Sequence, residues 1–275
     1  MPDWRAIASS LGKPPTGSPT PVGGGCIHDS YVWGEWFIKT NSADQADNFR
    51  AEAEGLEAIR RTKTIRLPEV LGHGATGQSA WLALEALELV SRGDDAVLGE
   101  HLAALHSTTA DWFGFPSENF IGATPQPNAA THSWVEFFRE QRIGHQFRLL
   151  RKSGINFPGS DRFLDRLTER LPASPPASLI HGDLWGGNKA FLGDGTPVVF
   201  DPAAHHADPE CDLAMTALFG GFSPRFYEAY RYHRPAPEDV ESLHEIYRLY
   251  HILNHALLFG GGYISQARGI LARYA

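Results

Sequence analysis

The sequence predicts an α+β fold in two unequal lobes, a small antiparallel sheet with one helix and a larger, mainly helical part. Two observations carry this. Residues 22–84 read as a glycine-rich hairpin, a strand, an amphipathic helix and two further strands, whereas residues 97–106 and 240–259 repeat apolar positions at helical spacing. Between those helices, His181-Gly182-Asp183-Leu184-Trp185-Gly186-Gly187-Asn188 and an apolar strand ending at Asp201 carry the polar residues around which the rest is organised. The lobes are expected to divide after residue 88, into parts 1–88 and 89–275.

Trp4, Ile7, Ala8 and Leu11 stand at helical spacing, so residues 1–11 predict a short helix that the Pro- and Gly-rich segment 12–25 breaks. Gly23, Gly24, Gly25 and Cys26 lie between probable strands. Without a Cβ, glycine lets backbone N–H groups approach a phosphate, although a triple-glycine run also makes a plain flexible loop. Gly34-Glu35 reads as a hairpin turn and Trp36-Phe37-Ile38-Lys39 as the returning strand, with Lys39 at its end. In residues 46–61, Phe49, Ala53, Leu56 and Ile59 form one apolar stripe, and Glu52 falls inside it while Glu54 and Glu57 read as solvated. A carboxylate on a buried face needs a partner, and Lys39 is the candidate.

Residues 67–71 and 79–84 read as two more strands around a turn at Gly72-His73-Gly74. Glu85-Ala86-Leu87 stands where the lobes join. In 97–106, Leu98, Leu102 and Leu105 share one face, and His106 reads as a structural or capping residue. From 240 to 259, Leu243, Tyr247, Tyr250, Leu253, Leu257 and Leu258 make a long apolar face that Gly260-Gly261-Gly262 ends, before a last short helix over 264–274. His251 and His255 are four apart but lack the Glu of a zinc-protease helix, and read as packing residues.

An Asp and an Asn five positions apart, with a second Asp at the end of the next strand, match the signature of a kinase catalytic centre. Phosphoryl transfer spreads negative charge over oxygens that must be held in line with an acceptor hydroxyl, so the chemistry needs position and countercharge. Asp183 would orient the hydroxyl and take its proton. Asn188 and Asp201 would hold Mg²⁺, which prefers hard oxygen ligands, while His181 would brace the loop. In that frame Gly23 to Cys26 would cover the ATP phosphates, Lys39 with Glu52 would position them, and the backbone around Glu85 and Leu87 would face the adenine edge. Gly-Asp and Gly-Asn pairs also form ordinary turns; Asp201 after Pro197-Val198-Val199-Phe200 weighs against that alternative.

At 275 residues and 42% apolar content the chain can bury a sizeable core. A formal charge of −8 and a pI near 5.9 offer no general basic footprint for nucleic acid or an anionic membrane, so a small-molecule substrate is expected. No run of 18 or more apolar residues and no signal-peptide layout is present; with only Cys26 and Cys211, a reducing cytoplasm is the expected setting.

Several blocks outside the kinase motif carry a resemblance: Phe113-Gly114-Phe115, Asn119-Phe120-Ile121-Gly122, Gln126-Pro127-Asn128, residues 134–143, Asp201-Pro202-Ala203, and Asp212-Leu213-Ala214-Met215-Thr216 leading to Leu218-Phe219-Gly220-Gly221-Phe222. With the 181–188 motif, they make the chain resemble the fructosamine (ketosamine-3-) kinase family, within the aminoglycoside-phosphotransferase-like, protein-kinase-like fold. The resemblance implies ATP- and Mg²⁺-dependent phosphorylation of the 3-hydroxyl of a ketosamine, free or on a glycated amino acid or protein, with a deglycation role; a monomer or weak homodimer is expected. It implies Asp183 as base, Asn188 and Asp201 as metal ligands, Lys39 and Glu52 as the phosphate-positioning pair, Gly23 to Cys26 as the phosphate loop, and Asp212 as a buried support of the catalytic loop.

The sequence departs from that family where Ala204-His205-His206-Ala207 replaces the usual tyrosines. His205 and His206 either touch substrate or line a helix start. Trp185 either offers its indole to the sugar ring or packs beneath the loop. Cys26 could ionise and oxidise readily in a phosphate loop, whereas Cys211 reads as buried. Two rival functions stay open: a kinase of the same fold acting on an aminoglycoside, choline or another small alcohol, and a nucleotide-binding module without chemistry.

Overall fold

The computed structural model describes residues 2–12, 14–23 and 28–274. The first lobe is built on a five-stranded antiparallel sheet of order β1-β2-β3-β5-β4, from β1 (Thr20–Val22), β2 (Asp29–Trp33), β3 (Trp36–Ser42), β4 (Val70–Thr76) and β5 (Ser79–Glu85). Helix α1 (Trp4–Leu11), capped by Asp3, covers one face, and α2 (Ala46–Thr62) covers the other. The apolar run of β5 follows from this sandwiching. Trp81 and Ala83 join the cluster under α1 with Ile7, Ala8 and Ile38, while Ala80, Leu82 and Leu84 join the cluster under α2 with Phe49, Leu56 and Ile59.

The expected turn at Gly72-His73-Gly74 is not where the hairpin lies. Strand β4 runs through both glycines and turns at Gly77-Gln78, with Thr76 paired to Ser79 and Gly77 at φ +60°. Gly72 and Gly74 serve space rather than turning. They pair with Ala83 and Trp81, and a Cβ on Gly74 would stand 3.3 Å from the Trp81 ring.

After Glu85 the chain enters β6 (Leu89–Val90), α3 (Asp95–Leu105), β7 (Thr109–Ala110) and the hairpin β8 (Asn119–Ile121) and β9 (Thr124–Gln126). Helix α4 (Trp134–Phe137) passes through a π-helical turn, Phe138–Ile143, directly into α5 (Gly144–Lys152), followed by α6 (Ser160–Arg166). Next come β10 (Ala177–Ile180), β11 (Lys189–Leu192), β12 (Pro197–Val199) and β13 (His205–Ala207), then α7 (Glu210–Phe219), α8 (Pro224–His233), α9 (Val240–Phe259) and α10 (Gly262–Tyr274). Small sheets of order β13-β10-β7 and β12-β11-β6 flank the loop of residues 181–188. Helix α9 is central. Leu243, Tyr247, Tyr250 and Leu253 bury in a cluster with Trp134, Phe137 and Phe138, whereas Leu258 of the expected apolar face is exposed. Among the described residues no helix is long and apolar enough to cross a membrane.

Candidate active site

The loop between β10 and β11 is held by buried polar groups that leave it little freedom. Asp212, in the first turn of α7, accepts the N–H of His181 on Oδ2 and that of Gly182 on Oδ1, each at 2.8 Å. His106 at the end of α3 bonds Asp212 through Nε2 at 3.1 Å and Tyr230 through Nδ1 at 2.8 Å. Burial opposes ionisation of Asp212, but these donors outweigh it and hold the carboxyl below its usual range. His181 is fully buried. Its Nδ1 accepts the Asp183 N–H at 3.2 Å, which places the ring proton on Nε2, 3.0 Å from the Phe200 carbonyl. Gly182 sits at φ +82°, where a Cβ would lie 2.2 Å from the Ala203 carbonyl oxygen, so only glycine fits.

That scaffold sets Asp183, Asn188 and Asp201. Asp183 is half-buried; burial first, then nearby Asp201, raises its pKa to about 7 against the pull of Asn188. Asn188 donates Nδ2 to the Asp183 carbonyl at 2.8 Å and to Asp183 Oδ2 at 3.3 Å, and its own carbonyl accepts from Phe200 N–H at 3.1 Å. Because the amide nitrogen is engaged inside the loop, Asn188 has its amide oxygen to offer a ligand. Asp201, at the end of the next strand, adopts φ +58°. A left-handed non-glycine costs about 1 kcal/mol or more and is a feature of functional sites. An amide oxygen and a carboxylate are the hard donors Mg²⁺ takes, so the residues present fit that ion.

Lys39 lies between two carboxylates, its Nζ 2.7 Å from Glu52 Oε1 and 2.5 Å from Asp201 Oδ1. Burial works against its charge, but Asp201 and Glu52 outweigh it and raise the lysine pKa, so the ammonium persists throughout the working range. For Glu52, burial pushes the pKa up and Lys39 pulls it back. Helix α2 is fixed from the other lobe: Asn48 Nδ2 donates to the Gly122 carbonyl at 3.0 Å, and Ser117 Oγ reaches Glu54 Oε2 at 2.5 Å. Glu54 is therefore a tether rather than a merely solvated residue.

The remaining expected residues divide. Gly23 follows β1 and is exposed; Gly24, Gly25 and Cys26 lie outside the described residues. Glu85 closes β5, its side chain accepting from Arg66 Nη2 at 2.5 Å, and the next N–H, of Ala86, donates to the Glu35 carbonyl at 2.9 Å. Leu87 is half-buried just beyond. Trp185 does not pack beneath the loop: it is 39% exposed, two residues from Asp183. His205 differs from expectation. It is a buried β13 residue paired with Ile180, with Nδ1 on the Ala203 carbonyl at 2.9 Å and its ring beside Phe137, so it has no surface for a substrate. Period-2 alternation explains this: in β13, His205 and Ala207 point inward while His206 is partly exposed.

Three features escaped the sequence reading. His28, just after the glycine run, bonds Asn41 Nδ2 through Nδ1 at 2.9 Å and lies close to Lys39; burial, then that lysine, lowers its pKa to about 4. Lys189, next to Asn188, pairs with Asp95 Oδ1 at 2.6 Å and anchors the loop to α3. Asn119, Gln126, Asn128 and Arg142 form a buried network in which Asn119 Nδ2 reaches the Ala204 carbonyl at 2.9 Å and Arg142 Nη2 reaches Asn128 Oδ1 at 2.7 Å. A polar residue every few positions in an otherwise apolar block was the available signal.

A small lobe whose strand lysine pairs with a helix glutamate, joined to a helical lobe carrying Asp183, Asn188 and Asp201, defines a protein-kinase-like architecture. Solved structures agree. The fold superimposes with a TM-score of 0.92 and 27% identity on a crystal structure assigned as a fructosamine-3-kinase of Haemophilus somnus, covering 98% of this chain and 97% of that one. Similarity to aminoglycoside phosphotransferase APH(4)-Ia, with a TM-score of 0.66 and 18% identity over 98% of this chain and 99% of that one, shows the fold alone. Among sequence relatives, a probable ketoamine kinase of Synechocystis sp. is 44% identical over 282 residues, 98% of this chain and 95% of the relative. A chloroplastic protein-ribulosamine 3-kinase of Arabidopsis thaliana is 39% identical over 268 residues, 92% and 81% of the two chains. The fructosamine kinase family model matches residues 4–275, and the chain belongs to that family.

Proposed function

We propose that this chain transfers the γ-phosphoryl group of ATP to the 3-hydroxyl of a ketosamine, free or on a glycated amino acid or protein. The observation that carries the reading is the convergence of Lys39, Glu52 and Asp201 through bonds of 2.5–2.7 Å, with Asn188 bonded to Asp183 beside them, in a chain of this family. Asp183 would accept the hydroxyl proton, and Lys39, oriented by Glu52, would hold the phosphates. Gly23 to Cys26 would cover those phosphates. The Asp201 carboxylate and the Asn188 amide oxygen would hold Mg²⁺, which when bound supplies countercharge to the transferred group. Because Ala86 N–H is taken by Glu35, the flanking Glu85 carbonyl and Leu87 N–H are the groups assigned to adenine. Trp185 would present its exposed indole to the substrate. A lobe division at residue 88, a cytoplasmic setting and a repair role belong to the same reading; the two cysteines support the setting.

Asp183→Asn tests the assignment. It keeps the side-chain shape but removes the base, so turnover should fall by roughly 10²- to 10⁴-fold while MgATP binding, read by calorimetry, is retained. A fully active variant would remove Asp183 from the mechanism.

A further inference from the structure

Among the described residues nine large hydrophobic side chains are exposed, and three of them, Trp185, Phe219 and Phe259 at 39%, 38% and 64%, share one line of aromatic rings. Trp185 in the catalytic loop meets Phe219 at the end of α7 with centroids 6.1 Å apart. Phe219 meets His255 at 5.0 Å, and His255 meets Phe259 at 5.5 Å and Tyr263 of α10 at 5.0 Å. The line therefore crosses four separate stretches of chain and begins two residues from Asp183.

Its start is rigidly built. A Cβ on Gly221 would stand 2.7 Å from the Gly186 Cα, so the two backbones touch and clamp the end of α7 onto the catalytic loop. A Cβ on Gly187 would lie 2.2 Å from the Trp185 ring, which fixes where the indole can lie. Two glycine contacts thus hold Phe219 beside Trp185. Burial outweighs the His251 carbonyl and lowers the His255 pKa, so the line is uncharged at neutral pH. Rings without positive charge suit a cationic nitrogen and an apolar group attached to it.

We propose that this aromatic line, from Trp185 through Phe219 and His255 to Phe259, is a subsite for the amine-side substituent of the ketosamine and favours adducts of amines bearing apolar or aromatic groups. The proposal rests on the ketosamine kinase reading. With the 3-hydroxyl at Asp183, the nitrogen on C1 is a few bonds away, and a substituent on it extends beyond the sugar along the rings. The continuity of the line with the loop that carries the base selects this occupant over a separate partner.

The test compares kcat/KM for the fructose and ribulose adducts of methylamine, butylamine and benzylamine, in the wild type, Phe219→Ala and Phe259→Ala. Phe259 is so exposed that its truncation leaves the core alone. The wild type should prefer the benzylamine over the methylamine adduct; Phe219→Ala, nearest the loop, should reduce that ratio by about 3- to 10-fold, mostly through KM of the benzylamine adduct, and Phe259→Ala, farther along the line, by less. A wild type active on ketosamines whose ratio neither variant changes, whatever happens to oligomeric state, overturns the subsite alone. A wild type inactive on every adduct overturns the function and the subsite together.

Discussion

At the level of single residues, the 181–188 loop depends on one buried carboxylate and one glycine. Asp212 gives both carboxylate oxygens to the loop backbone, and Gly182 passes so close to Ala203 that a methyl group has no room. Gly182→Ala should therefore displace Asp183 and reduce kcat by about 10²-fold, the size of effect expected when a reacting group is misplaced by about an ångström. Steady-state kinetics and a thermal melt check this together; full activity would mean that the loop has slack the geometry denies it. The residue types at 181–188 made this loop legible, since H-x-D-x-x-x-x-N names a chemistry. The left-handed conformation of Asp201 was not legible, because no glycine marks it.

At the level of elements, the π-helical turn between α4 and α5 turns Arg142 into the protein. There it is 2% exposed, donating to the Pro127 carbonyl at 2.6 Å and Asn128 Oδ1 at 2.7 Å, with its guanidinium 4.4 Å from the Phe137 ring centre. The guanidinium has carbonyl and amide partners there, and burial lowers its pKa to about 10. Arg142→Lys keeps the charge but cannot span both acceptors or stack on Phe137, and should cost about 1–3 kcal/mol in urea unfolding. An unchanged midpoint would show that the fork is not needed. Periodicity located α2, α3 and α9 well, because each turns one apolar stripe inward, α2 and α3 to one core cluster and α9 to another. It misplaced the β4–β5 turn, because Gly74 makes room for the Trp81 ring across the sheet and Gly72 for Leu11 of α1, contacts that local sequence does not encode. His205 failed for the same kind of reason: strand pairing with β10 decided its direction.

At the level of the whole molecule, Glu210 joins three helices of the large lobe. Arg231 of α8 grips it at 2.6 and 2.7 Å, and His244 of α9 reaches it at 2.7 Å. Burial opposes its ionisation, but these partners outweigh burial and lower its pKa to about 2 from the ordinary 4.5. A depressed carboxylate pKa stabilises the fold above the ordinary value and loses that contribution as pH falls towards about 2, here on the order of 3 kcal/mol. Glu210→Gln should thus be less stable than the wild type at pH ~6, with the gap narrowing as pH drops towards ~3. Thermal melts across that range decide it, and a gap independent of pH would contradict the linkage.

The order of strands and helices, and the convergence of Lys39 with Glu52 and Asp201 and of Asp183 with Asn188, could be read from sequence because each rests on a local pattern. The aromatic line and the buried network behind Ala204 could not, since they join segments far apart in the chain. The central claim is the acceptor. ATP consumption with Mg²⁺ should be measured against fructosyl-lysine, ribulosyl-lysine, an aminoglycoside and choline, with phosphorus NMR locating the product. New phosphate on the 3-hydroxyl of a ketosamine is the predicted result; phosphate on the aminoglycoside or choline instead, or on none of them by protein that binds MgATP, would contradict it.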